Sequence, residues 1–272
     1  MLPRQRQTII LDKVREFGGV KVADLVGQLE VSDMTIRRDL DALESAGLVV
    51  KVHGGATAVH QRASYEPGFD AKSTMQRAEK SAIADAAAAL VHPGTAIGLS
   101  AGTTTYTLAH RLVAIPSLTV VTNSVWVADI LHHGGGADQT VLLTGGRRTP
   151  SDALVGPFAV RTLRTVHLDQ VFLGVHGIDP RAGLTTPNML EAETNRALIE
   201  SGRSLIVVAD HTKWGAVGMS SIAPLDDVDT VVTDTGLTED AKQVLADHVP
   251  EVIVAEIDEP LLAGDRRAEG SR

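Results

Sequence analysis

The chain has 272 residues, 43% of them hydrophobic and 22% charged, which leaves room for one small domain and one of ordinary size. It has no cysteine, so disulfides, thiolate metal sites and cysteine nucleophiles are excluded together, and its 3% aromatic content is too low for a stacking platform for single-stranded nucleic acid. The formal charge of −9 has the wrong sign for a polyanion's partner, but residues 1–58 hold eight basic and eight acidic side chains, so the rest of the chain carries the whole deficit.

In chain order, the first predicted element is a helix with Ile10, Val14 and Phe17 on one stripe, broken by Gly18 and Gly19. A second, shorter helix carries Val22, Val26 and Leu29. Ser32 is a good N-cap for a third, and Asp33 sits in its first turn, where a negative charge suits the positive end of the helix dipole. Going forward from Ile36, Leu40 and Leu43 return to the same stripe, while Arg38, Asp41 and Ser45 point away and Thr35 and Arg37 flank them. Gly47 supplies a stop, and Leu48 to Val52 alternates into a strand that turns at Gly54 and Gly55.

Three helices closed by a ribbon make a winged helix-turn-helix, whose third helix enters the major groove with its N-terminal residues near base edges while the wing holds phosphate. Ser32, Thr35, Arg37 and Arg38 are then the candidate DNA contacts of the helix, and Lys51 and His53 those of the wing. An arginine can bond a guanine edge bidentately or clamp a phosphate, and the sequence leaves both roles open. In isolation an Arg-Arg pair on a helix is more often a solvated face. The run TIRRDL, followed by LE, AGL and HGGA, resembles the DeoR-type family of bacterial sugar-metabolism repressors. That resemblance implies a sequence-specific transcriptional regulator whose partner is double-stranded operator DNA.

Residues 57–75 mix polar side chains with Pro67 and Gly68 and show no sustained period, so the domains are drawn as 1–58 for the DNA-binding unit, 59–75 for a linker, 76–260 for a second domain and 261–272 for a disordered tail. From Glu79 the pattern alternates. EKSAIADAAAAL, YTLAHRL, VWVADILHH, MLEAETNRALIESG and TEDAKQVLAD read as helices, and TAIGL, LTVVT, TVLLT, QVFLG, SLIVVA and TVVTD as strands. Such alternation predicts a mostly parallel sheet covered on both faces, so the fold class is α/β with a small N-terminal α+β domain.

Ligands of open parallel sheets sit beyond the carboxyl ends of the strands, and three loops there draw attention. In SAGTTT, Gly102 lets the backbone approach an anion, and Ser100, Thr103, Thr104 and Thr105 offer amides and hydroxyls at a helix start. Thr122 and Asn123 are short polar groups able to fix a sugar hydroxyl, and Gly145 and Gly146 leave room against bare backbone. Any one of these loops alone is ordinary turn chemistry.

Taken together, EKSAIA, GTTT, TNS, LLTGG, GVHGID, GL followed by LEAE, and ADHTKWG resemble the effector domain of the same DeoR-type family across roughly Glu79 to Thr235, a domain whose fold is similar to ribose-5-phosphate isomerase. The resemblance implies a phosphorylated sugar or related metabolite as ligand, and places Asp179, Glu191 and Lys213 among the polar residues of its pocket. The plain alternatives are a turn aspartate, a first-turn helix carboxylate and a surface lysine. Where that family usually has an aspartate before GTTT this chain has Ser100, so its effector is expected to differ from the commoner ones.

Arg147 and Arg148 read as a solvated loop, His132 and His133 as a helix end before three glycines, and His176 as a core or ligand-touching histidine. No HExxH spacing occurs, so neither metal nor cofactor is expected. No run nears the ~18 apolar residues of a membrane span and MLPRQRQTIILDK lacks a secretory signal's apolar core, which points to a cytoplasmic protein. A neutral reading head favours a homo-oligomer, dimer or tetramer, that engages two heads at once. Two other readings stand beside this one: a sugar-phosphate isomerase-like enzyme fused to a DNA-binding domain, and a winged helix serving protein contacts only.

Overall fold

The computed structural model describes residues 2–17, 19–46, 48–52, 54–58 and 68–257. Gly18, Gly47, His53, the stretch 59–67 and the predicted tail 261–272 lie outside the described residues, as does the side chain of Phe17. The chain divides into two units, Met1–Arg62 and Ala63–Arg272.

The first unit runs α1 (Pro3–Phe17), β1 (Gly19–Lys21), α2 (Val22–Leu29), α3 (Asp33–Ser45), β2 (Val49–Val52) and β3 (Gly55–Ala58). Ile10, Val14, Val22, Leu25, Ile36, Leu40 and Leu43 bury their side chains in one core, against which Val26 and Leu29 pack from the side. The ribbon expected from the sequence is a three-stranded antiparallel sheet in the order β1-β3-β2, because the chain leaving α1 extends through Gly19 to Lys21 instead of only breaking there. Gly55 is required at that seam: a Cβ there would lie 2.1 Å from the carbonyl oxygen of Val20.

The second unit opens with α4 (Phe69–Ser73), so part of the stretch read as linker is helical. It continues with α5 (Arg77–Ala88), β4 (Ala96–Leu99), α6 (Thr103–Leu112), β5 (Thr119–Thr122), α7 (Val125–Gly134), β6 (Thr140–Leu143), β7 (Arg147–Arg148) and β8 (Leu154–Val155). Then follow α8 (Pro157–Leu163), β9 (Gln170–Leu173), β10 (Gly177–Asp179), β11 (Gly183–Thr186), α9 (Met189–Ser201), β12 (Leu205–Val208), a 3-10 turn at His211–Lys213, β13 (Ser220–Ala223), β14 (Thr230–Asp234), α10 (Glu239–His248) and β15 (Glu251–Ala255). Seven strands form a wholly parallel sheet in the order β15-β14-β12-β9-β4-β5-β6.

Strand alternation sorts the core into two layers. Ile97, Leu99, Phe172, Ile206 and Val208 face α5, α6 and α7 through Ile83, Leu108 and Leu131, while Val171, Leu173, Leu205 and Val207 face α8, α9 and α10 through Leu163, Leu198 and Leu245. Burial on both faces explains why these strands read as unbroken apolar runs. A separate antiparallel sheet, β10-β11-β13, lies in the connections after β9 and β12 and was not visible in the sequence.

Candidate functional site

Two regions carry the candidate residues, one in each unit. In the first, α3 begins at Ser32, whose hydroxyl accepts the Thr35 amide at 3.3 Å and meets the Thr35 hydroxyl at 2.8 Å. Such a cap is worth about 1 kcal/mol of helix stability, and here it also occupies the Thr35 hydroxyl. Arg37 is held by Asp33 one turn earlier through Nε and, at 3.3 Å, Nη2. Their hydrogen bond lowers the Asp33 pKa and raises that of Arg37. Arg38 is exposed and makes no ion pair among the described residues.

Lys51 on the ribbon pairs with Asp41 of α3, and its amide donates to Glu44 at 3.1 Å. Expected as a phosphate contact, its ammonium is instead engaged within the unit. Asp39 is a residue that sequence reasoning missed. Its carboxylate is buried, paired with the buried Arg6 of α1 and accepting from Gln7 at 3.1 Å, so it fixes α3 against α1. The signal was present: position 39 lies three residues after Ile36, inside the core stripe.

In the second unit a cleft forms at the carboxyl ends of the central strands. One wall is the start of α6, where Gly102, Thr103 and Thr104 line the cleft and no side chain caps the helix. The first amides of a helix have no partner within it, so this end presents donors and a partial positive charge. The opposite wall centres on Glu191, in the first turn of α9, whose buried carboxylate accepts the Thr149 hydroxyl at 2.9 Å, the Ser151 hydroxyl, and the Thr186 hydroxyl at 3.2 Å. Asn195, one turn further along α9, and His176 line the same space.

Two cationic side chains, Lys72 from α4 and Lys213 from the 3-10 turn, also border the cleft. That turn is tied to the sheet by its first residue, His211, whose Nδ1 lies 2.7 Å from the fully buried Asp234 at the end of β14. Hydrogen bonding to Asp234 raises the His211 pKa despite partial burial. Burial opposes ionisation of Asp234, yet hydrogen bonds from His211 and Gly236 hold its pKa below the usual carboxylate value. Asp210 caps the turn by accepting the Thr212 amide at 3.1 Å.

Lys80 acts from behind the α4 wall. Its ammonium donates to the carbonyls of Lys72 and Met75, both at 2.6 Å, and burial lowers its pKa to about 8. Phe69 of α4 lines the cleft and is stacked on Trp126 at 5.7 Å, with Tyr106 edge-on at 5.3 Å.

Several residues expected at the ligand serve the scaffold instead. Ser100 is fully buried, and its hydroxyl accepts the Gly174 amide at 2.9 Å. Asn123 accepts the Ala101 amide at 2.8 Å and donates to the Leu154 carbonyl at 3.2 Å, so both of its polar ends are spent on backbone. Thr105 is fully buried and donates to the Gly102 carbonyl at 3.0 Å. Gly145 and Gly146 form the left-handed turn into β7, with φ of +72° and +125°, and do not line the cleft. Asp179 is a turn aspartate, accepting the Arg181 and Ala182 amides at 2.8 Å each. The cleft residues Phe69, Lys72, Ser151 and Asn195 carried no local signal, since they come from α4, the β7–β8 connection and α9, which only the fold brings together.

A helix-turn-helix unit joined to an α/β unit with a polar cleft defines a DNA-binding regulator equipped to receive a small ligand. Residues 6–62 match the model of the DeoR-like helix-turn-helix domain and residues 75–235 that of the DeoR C terminal sensor domain. The chain is 38% identical over 256 residues to the uncharacterized HTH-type transcriptional regulator YgbI of Escherichia coli K12, covering 94% of this chain and 99% of that protein. It is 34% identical to the glycerol-3-phosphate regulon repressor of the same strain, over 91% of this chain and 97% of that protein. It is also 34% identical to the putative aga operon transcriptional repressor of Escherichia coli O157:H7, over 92% and 93% respectively. Among solved structures, ribose 5-phosphate isomerase A from Neisseria gonorrhoeae aligns at 14% identity with a TM-score of 0.37, over 50% of this chain and 53% of that one. The chain belongs to the DeoR family of transcriptional regulators.

Proposed function

We propose that the protein is a repressor of carbohydrate-metabolism genes, acting in the cytoplasm as a homo-oligomer on double-stranded operator DNA, and that a phosphorylated sugar or related metabolite in the cleft alters its DNA affinity. The observation that carries the effector reading is the pairing, in one cleft, of the uncapped α6 start at Thr103 and Thr104 with the buried carboxylate of Glu191. The first suits a phosphate, helped by Lys213 and Lys72; the second suits sugar hydroxyls, which can donate to a carboxylate. Relatives named for a glycerol-3-phosphate regulon and an aga operon support the carbohydrate assignment.

Catalysis is not part of this reading. The Asp179 carboxylate is committed to its turn, and the curated relatives are named as regulators. Pentose and hexose phosphates should therefore show no turnover with the purified protein.

Control of this type rests on a coupling of about 1–3 kcal/mol between the two sites, roughly 5- to 150-fold in affinity. Operator DNA titrated with and without a panel of sugar phosphates tests it. Release of DNA with one of them is expected; affinity that no member of the panel changes would overturn the effector role.

A further inference from the structure

Met34 is the most exposed large apolar side chain of the first unit's described residues, at 79%, and it stands in the first turn of α3. Arg38 is one turn further on the same face. Around these two, the other outward groups are taken up locally: Thr35 by Ser32, Arg37 by Asp33, Asp41 by Lys51. Among the described residues, what α3 offers at its leading edge is thus one unpaired guanidinium fork and one soft apolar tip.

We propose that Met34 reads a thymine, by packing against its 5-methyl group in the major groove beside the base reached by Arg38. The inference rests on α3 entering that groove. Thymine alone presents a methyl group there, and an apolar contact to it is the established way of distinguishing it from cytosine; the arginine fork matches the O6 and N7 acceptors of guanine. An unbranched thioether adapts to such a contact without needing a fixed shape. Helix positions four apart have their Cβ atoms about 6 Å apart, and bases on one strand step by about 3.4 Å, so the two side chains fall one or two base pairs from each other. The sequence pattern flagged only the polar residues of this helix, because an exposed methionine has no donor or acceptor to suggest a role.

The test uses the full chain and duplexes selected by it from a randomised pool. Each thymine of a selected duplex is replaced in turn by deoxyuridine, which removes the methyl group and nothing else. The wild type should lose about fourfold in affinity at one position per bound α3, the effect of exposing one methyl-sized apolar group. Met34→Ala should bind the thymine and uracil duplexes equally, and Met34→Leu should regain the difference. Because the side chain is exposed, circular dichroism and melting temperature of both variants should match the wild type. Indifference of the wild type at every thymine, or an unchanged thymine-to-uracil ratio in Met34→Ala, overturns the assignment to Met34 while leaving DNA binding intact. Failure to retain any duplex at low salt would instead overturn the DNA-binding role of α3, and this inference with it.

Discussion

The ammonium of Lys80 donates to the backbone carbonyl of Lys72 at 2.6 Å, so a buried cation on α5 sets the position of a cation that borders the cleft. In chain order α4 is the first described element of the second unit, so this latch fixes the part of the cleft wall with which that unit begins. Lys80→Met should weaken binding of the sugar phosphate found by titration while leaving the Thr103 and Thr104 wall in place. It should also change a pH slope. In the folded chain Lys80 gives up its proton near pH 8. The unfolded chain keeps it to about pH 10.4. Between those values the unfolded state binds more protons, so the folded state gains stability as pH rises. Urea titrations at pH 7 and 9.5 should therefore show wild type gaining on Lys80→Met at the higher pH; a constant difference would mean that burial does not strain the charge.

The two arginines of α3 should not be equivalent. Arg38→Ala is expected to cost about 1–3 kcal/mol of operator binding and to relax preference at one base pair, the scale of a bidentate arginine–guanine contact. Arg37→Ala should cost less and act evenly across sequences, since its guanidinium must leave Asp33 before it meets DNA. Binding measured on matched and single-mismatch duplexes separates them; equal losses with equal specificity would refute the distinction.

Glu191 and Asp179 provide a contrast within the second unit. Glu191→Gln keeps the size but puts an amide donor among hydroxyls that now donate to it, and should lower sugar-phosphate affinity by about tenfold or more, the penalty for leaving a buried polar group badly paired. Asp179→Ala should leave that affinity unchanged and cost about 1 kcal/mol of stability through the lost turn bonds. Isothermal titration and chemical unfolding of both variants give the comparison.

The His211–Asp234 pair should leave a signature on the stability of the second unit. The pKa of His211 is raised in the folded chain, so its charged pair stabilises fully below about pH 6.5 and is lost as pH rises through the raised value. The Asp234 pKa is lowered, so its share is present above about pH 3.9 and is lost on acidification through the lowered value. The advantage of wild type over His211→Gln, followed by urea titration, should therefore be larger at pH 6 than at pH 9. A constant gap across that range would show the pair to be uncharged.

The edge strand β15 was not read from the sequence, but the rest of the main sheet was legible: TAIGL, LTVVT, QVFLG, SLIVVA and TVVTD contain its well-buried strands and TVLLT the more exposed β6. The strands β10, β11 and β13 were not, being three or four residues long with glycine, serine and threonine in place of an alternating pattern. Helix α4, at five residues, is too short to display a period. For the cleft, the Thr103 and Thr104 edge could be read because a glycine followed by hydroxyl side chains at a helix start is a local pattern. Ser100 and Asn123 misled for the converse reason: a short polar side chain at a strand end serves neighbouring backbone as well as it would a ligand, and only packing decides. Glu191 stood out through family resemblance alone, and its hydroxyl partners Thr149 and Ser151 lie about forty residues away in sequence.

The ring of Trp126 stacks on Phe69, while its indole N–H donates to Asp152 at 2.8 Å. The chain has two tryptophans, and this one sits directly against Phe69 of the α4 wall of the cleft. Any displacement of α4 would alter the polarity around that fluorophore. A ligand seated against Phe69 is therefore expected to change Trp126 emission, which would let occupancy be followed without attaching a dye.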